Sequence, residues 1–304
     1  MDFRRAISIG GGATVALLVM SLASASAQTQ VGDRVFLHTI FVGQPGVGDD
    51  LTLPSFSWSK ASDGVPVTSV SAILSKRITE NFGVVITEPT WTHVGSSEFA
   101  PSVSGFQNLS TAFKYMALQN AEHQLMMCLG LQVDWGNTGS SGIGVNSFST
   151  ITPQMYIGKG FGDLPPELSW LRPLALTGQF GLVLPTKHTD LSDPFVITGG
   201  PTVFNWGFTL QYNPVTPSDN SSFHLAPLVE AAFQSPVANA LPGLAATTGS
   251  INGGIALSGK GIQFTTEATF PINTLSGHGV GFVASLTFSF GELAPQTLGK
   301  PLFR

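Results

Sequence analysis

The chain has 304 residues and a net charge of −5, and only 10% of its residues are Asp, Glu, Lys or Arg, against roughly 25% in an ordinary soluble domain. Hydrophobic residues make up 42%, so Gly, Ser, Thr, Asn and Gln stand where charge is missing. This balance, without a basic patch, excludes a nucleic-acid surface, and the single cysteine, Cys128, excludes an internal disulfide.

Residues 1–27 read as a secretory signal peptide. Arg4-Arg5 gives a basic start, Ala6–Leu22 is apolar, and Ala25-Ser26-Ala27 offers small residues for cleavage. Gly10, Gly11 and Gly12 break the apolar stretch, which favours cleavage over an N-terminal anchor. Removing two Arg and one Asp takes the charge from −5 to −6. Beyond this segment no run of about 20 apolar residues occurs, which excludes a spanning helix. Residues 28–50 form a lead-in whose Val35–Val42 stretch reads either as a strand or as part of a periplasmic lead-in, and which either joins the β-structure after it or plugs it.

From Leu51 onward the hydrophobic period is two, the signature of strands whose side chains alternate between faces. Leu51–Lys60 is the first. Val67–Arg77 and Phe82–His93 form a hairpin across 78–81, and a Ser/Gly-rich loop leads to Phe106–Ala117. In Glu122–Asp134, Leu125, Met127, Leu129, Leu131 and Val133 oppose Gln124, Cys128, Gln132 and Asp134. Phe148–Gly158, Leu174–Leu184, Val203–Tyr212, Phe223–Phe233 and Ile262–Phe270 repeat the pattern, and a further strand is implied before the turn at 259–260. The clearest example is the last, Gly279–Phe290, with Val280, Phe282, Ala284, Leu286, Phe288 and Phe290 on one parity and Gly281, Val283, Ser285, Thr287 and Ser289 on the other.

Lys114, Glu122, Asp134, Glu230 and Glu267 all fall on polar parities of these strands. A Lys or Arg facing hydrocarbon at mid-bilayer costs about 2–4 kcal/mol, so the apolar parities read as lipid-facing. Connections alternate: 78–81, 118–121 and 259–260 are tight, whereas 94–105, 135–147, 185–201 and 235–249 are long, as in outer-membrane barrels. The segment 159–171 breaks the alternation, and Pro165-Pro166 suggest a small helix there. Trp58, Trp91 and Trp135 lie near strand ends, where interfacial aromatic girdles form. The expected fold is an all-β, antiparallel up-and-down transmembrane β-barrel of twelve strands over 51–290, with ten or fourteen as alternatives, followed by a tail at 291–304.

No H-E-x-x-H, paired C-x-x-C, P-loop or G-x-S-x-G motif is present, so neither an enzyme nor a cofactor or metal is expected. The six histidines are dispersed, and Lys187-His188-Thr189-Asp190 reads as a solvated loop end before it reads as an ion site. Glu230 and Glu267 lie on strands separated by one other and so share a stretch of lumen, with Lys114 further round. Charged and polar groups lining a pore set selectivity. The expected lining is Lys114, Asp134, Gln154, Gln211, His224, Glu230, Gln263 and Glu267. The competing reading makes the charged ones wall residues paired across a packed interior.

The run Gly105-Phe106-Gln107-Asn108-Leu109, followed by Phe113-Lys114-Tyr115, resembles a segment of the outer-membrane barrel family named for the phenol meta-degradation pathway. Asn108 stands where that pattern has an acidic residue, and Leu184-Pro185-Thr186 arrives one hairpin late for the family's P-T-G-like loop. The resemblance implies an outer-membrane barrel with a transport role. The functional expectation is a bacterial outer-membrane channel for passive passage of small, uncharged or weakly polar solutes, aromatic ones included. Its expected partners are outer-membrane lipid, the small-molecule solute and the barrel-assembly machinery. A structural or adhesive barrel with a packed lumen is the alternative, and a secreted soluble β-sandwich the third reading.

Overall fold

A computed structural model describes residues 29–87, 90–98, 100–189, 199–213 and 223–303; the signal-peptide reading and part of the 185–201 loop lie outside them. The wall is built from β3 (Asp50–Lys60), β4 (Pro66–Arg77), β5 (Phe82–Thr87), β6 (Trp91–Val94), β7 (Val103–Phe106), β8 (Ser110–Asn120), β9 (Leu125–Asp134) and β10 (Thr150–Gly160). It continues through β11 (Leu174–Pro185), β12 (Thr202–Tyr212), β13 (His224–Ala238), β14 (Thr248–Gly259), β15 (Ile262–Pro271) and β16 (Gly281–Ser289). Both β5 and β6 pair with β4, while β8 pairs with β5 and β7 with β6. Each of these couples is therefore one interrupted span, and the sheet has twelve.

The ring closes on itself. The last strand, β16, pairs antiparallel with β3, setting Phe282 opposite Trp58 and Ser289 opposite Asp50. Closure leaves no sheet edge, which an assembly in hydrocarbon requires. It also excludes the β-sandwich, in which the same Phe and Leu residues would pack between two layers. Leu129 is 48% exposed, Phe264 45% and Phe282 45%, whereas Thr209, Gln211, Glu230 and Asn252 are all fully buried. Apolar outside and polar inside is the inverse of a soluble protein.

Turn chemistry matches position. Lys260 (φ 54°) and Gly261 (φ 75°) both sit in the left-handed region, as a two-residue type I′ hairpin between β14 and β15 requires. The long connection after β10 carries a short 3-10 helix, Pro166–Leu171. After β16 the chain makes a single helical turn, α1 (Phe290–Leu293), and its tail crosses the short-turn end. There Lys76 Nζ donates to the carbonyls of Leu298 (2.7 Å) and Lys300 (2.6 Å), and Arg77 Nη2 to that of Gly299 (2.8 Å).

Several details differ from the sequence reading. The strand expected over Phe82–His93 is interrupted between Thr87 and Trp91. Phe106–Ala117 is not continuous. Asn108 Oδ1 accepts from Gly139 N–H (2.9 Å) and its Nδ2 donates to Asn146 O (2.8 Å), drawing residues 107–109 out of the ladder toward the 135–147 loop. An aspartate could not make the second bond, which gives the amide at this position a structural reason. Glu122 lies in the turn before β9 and not on a strand. The β13 strand runs on to Ala238, shortening the loop expected at 235–249. Finally, β10 extends to Gly160 and brings Lys159 onto the outward parity at the short-turn rim, where its ammonium lies 2.8 Å from both carboxylate oxygens of Asp163.

Candidate functional site in the barrel lumen

The lead-in lies within the ring. A small hairpin of β1 (Thr29–Val31) and β2 (Arg34–Phe36) sits at the short-turn end, and from Leu37 the chain is irregular; the strand expected over Val35–Val42 stops at Phe36. Arg34 anchors this end. Its guanidinium donates to the carbonyls of Pro173 (3.1 Å), Asn213 (3.1 Å) and Arg172, while burial pushes its pKa down from the ordinary arginine value. Val31 and Phe36 pack on Met126 and Ala175, and Leu37 on Ala226, Leu228 and Ala256. The buried apolar clusters of this barrel are thus contacts between the inserted segment and the wall.

Above these contacts the segment has no ladder of its own, and wall side chains satisfy its backbone. Gln211 Oε1 accepts from Leu37 N–H (2.7 Å). Gln263 takes His38 at both ends, accepting from its N–H (3.1 Å) and donating to its carbonyl (2.7 Å). Glu230 receives three consecutive backbone N–H groups, from Ile40 (2.7 Å), Phe41 (3.1 Å) and Val42 (2.8 Å), and the Thr209 hydroxyl besides (3.3 Å). Successive N–H groups converging on one anion form a nest, here filled by the protein's own carboxylate.

The segment then returns. Gln179 Oε1 accepts from Gly43 N–H (2.5 Å), and Lys114 Nζ donates to Gln44 O (2.5 Å) while lying 4.2 Å from the centroid of the Tyr156 ring. Asp49 closes the loop at the short-turn rim, accepting from Lys76 Nζ (2.7 Å) and Arg77 Nε (2.7 Å). Small wall residues make room for it. A Cβ on Gly158 would stand 2.8 Å from Pro45 and 3.0 Å from the Phe36 ring, and one on Gly207 would stand 3.0 Å from Val42.

All eight residues expected to line the lumen lie on inward parities, but they do not act alike. Lys114, Gln211, Glu230 and Gln263 hold the inserted segment directly. Asp134 and Gln154 belong to an amide ladder that reaches it. In that ladder Gln132 Nε2 donates to Asp134 (2.9 Å), Gln154 Nε2 to Gln132 (2.9 Å) and Gln179 Nε2 to Gln154 (3.4 Å). Glu267 is buried beside Glu230, with whose carboxyl it interacts, and makes no hydrogen bond to the inserted segment. His224 stands apart near the short-turn end, with neither ring nitrogen bonded. Arg34, Asp49, Tyr156 and Gln179 are site residues that the sequence reading misses. Gln179 shares the inward parity of the others, whereas nothing in the irregular 28–50 stretch marks Arg34 or Asp49.

At the long-loop end, above Phe41, the lumen widens into a cavity of about 460 Å³ bounded by residues of β3, β11, β12, β13, β14 and β15 and of the connection after β15. Among the described residues no group of three or more His, Cys, Asp or Glu lies together as a metal site would need.

No protein-family model matches this chain, and no curated protein is similar to it in sequence. Solved structures are similar in shape. The COG4313 outer membrane channel from Pseudomonas putida F1 superimposes with a TM-score of 0.53 at 12% identity, covering 84% of this chain and 100% of that one. The KdgM porin (TM-score 0.47, 9% identity) covers 79% of this chain and 99% of that chain, and the NanC porin (0.47, 8%) covers 78% and 98%. At 12% identity the likeness to the COG4313 channel is one of architecture, and it agrees with the wall described above: a closed, twelve-stranded antiparallel barrel of the outer-membrane type.

Proposed function

We propose that this protein is a bacterial outer-membrane channel for passive, non-enzymatic passage of small uncharged or weakly polar solutes, and that residues 29–49 plug it in the conformation described. The observation carrying this reading is the nature of the hold. A wall closed by an unbroken backbone ladder surrounds a segment retained by side-chain hydrogen bonds to Gln179, Gln211, Glu230, Gln263 and Lys114. Such contacts exchange with water once the segment moves, so the lumen can open without breaking the barrel. The short 105–115 resemblance to the phenol meta-degradation barrels and the shape shared with the COG4313 outer membrane channel support a transport role. The short-turn end, carrying both termini, faces the periplasm in this reading.

The test is conductance of the purified protein in planar bilayers and solute uptake by vesicles, for the mature chain and for a variant lacking residues 29–46. Low conductance in the first and a stable, larger one in the second are expected. Absence of conductance and uptake in both would defeat the channel reading. It would favour the structural barrel, for which the occupied lumen is the supporting observation.

A further inference from the structure

The cavity above the plug has a chemistry of its own. Around its wall stand Ser59, Gln234, Thr248, Ser250 and Thr269, drawn from several strands of the ring, and its floor is Phe41, the tip of the inserted segment. None of these five polar side chains makes a hydrogen bond among the described residues. Their inward parity points them into the space. Lys60 is the single charged residue on the described lining. A volume near 460 Å³ falls in the range of small-molecule sites.

Resting on the channel reading, we propose that this outer vestibule is a binding site for an uncharged, multiply hydroxylated solute of monosaccharide size, seated on the Phe41 ring. Hydroxyl and amide side chains each offer donors and acceptors, so a ring of them matches a ligand that presents both in several directions. Charged ligands are disfavoured on the same grounds. A cation finds no carboxylate on the lining, and an anion finds one lysine and no arginine, the residue suited to bidentate capture. The exposed face of Phe41 supplies the apolar surface on which a ring can lie. The same residue's N–H is bound by Glu230 (3.1 Å), so the seat exists only while the plug is in place. The site captures solute at a closed gate.

The experiment uses the mature protein in detergent, with D-glucose as probe and gluconate, glucosamine and toluene as charged and apolar comparators. Binding is read by calorimetry and by equilibrium dialysis of the radiolabelled probe. Glucose should bind with a dissociation constant of about 1 mM, as befits a few hydrogen bonds on a small ligand, and the comparators at least about tenfold more weakly, a difference near 1.4 kcal/mol. Gln234→Leu should weaken glucose binding severalfold. Phe41→Ala, which leaves the barrel wall untouched, should weaken it too, as should removal of residues 29–46. Equal binding of gluconate or toluene, no glucose binding, or glucose affinity unchanged in both Phe41→Ala and the deletion would overturn the assignment. Conductance recorded on the same preparation separates the outcomes: a conducting protein that binds no glucose refutes the vestibule site and leaves the channel intact.

Discussion

Glu230→Gln is the most direct perturbation of the plug. The carboxylate accepts three backbone N–H groups of the segment at 2.7, 3.1 and 2.8 Å. A glutamine retains one acceptor oxygen, which can serve Ile40, and turns an NH2 group toward the remaining donors. Two charge-assisted bonds are lost, at about 1.5–3 kcal/mol each, so the hold weakens by at least about 3 kcal/mol, or about a hundredfold in the closed-to-open ratio. Glu267→Gln is the matched control. It makes the same carboxyl-to-amide change in the same buried neighbourhood but touches no bond to the segment, to which Glu267 makes no hydrogen bond. In planar bilayers the Glu230 variant should open far more often than the parent, the Glu267 variant should not, and amide exchange at residues 40–42 should accelerate only in the first. A Glu230→Gln channel that stays as closed as the parent, or a Glu267→Gln channel that opens equally, would refute the reasoning. The hold would then lie elsewhere, or the effect would belong to the buried carboxyl pair and not to the bonds to the segment.

Other outcomes rest on the same geometry. Lys114→Met loses the bond to Gln44 O and the contact with the Tyr156 ring; it should raise opening about tenfold, the effect of one charged hydrogen bond, read in the same recordings. Gly158→Leu places a side chain where Pro45 and Phe36 now lie, so limited proteolysis should cleave residues 37–48 in the folded barrel. Leu129→Arg puts charge on the lipid face and should cost about 2–4 kcal/mol in refolding into vesicles; a cost near zero would place that face against protein or water. At the short-turn rim, the hydrogen bond from Lys159 holds the Asp163 carboxyl below the usual aspartate range. Its stabilisation is therefore complete above the ordinary aspartate pKa and disappears as pH falls through the lowered folded value. Asp163→Asn should abolish that acid-side component of thermal stability and leave the rest of the profile unchanged.

Period-two alternation, long enough and free enough of charge, was sufficient to read the barrel. In β12 each apolar residue has a polar neighbour, and hydrocarbon on one side with water or protein on the other leaves such a strand little choice of face. The tight connections expected at 259–260 and 78–81 are equally local, and so equally legible, although the first lies one residue further on, at Lys260-Gly261. The break at 107–109 was not, because its cause is a pair of bonds from Asn108 to a loop about thirty residues further on.

The lumen divides in the same way. Alternation put Lys114, Gln211, Glu230, Gln263 and Glu267 inside, since that depends only on each residue's own strand. It could not say what they would meet there. Residues 28–50 have no period, because a segment whose backbone is satisfied by side chains from five separate strands needs no pattern of its own. Only the closed ring brings Glu230 within reach of Ile40, Phe41 and Val42, some 190 residues away in the chain, and turns a polar lining into a lock.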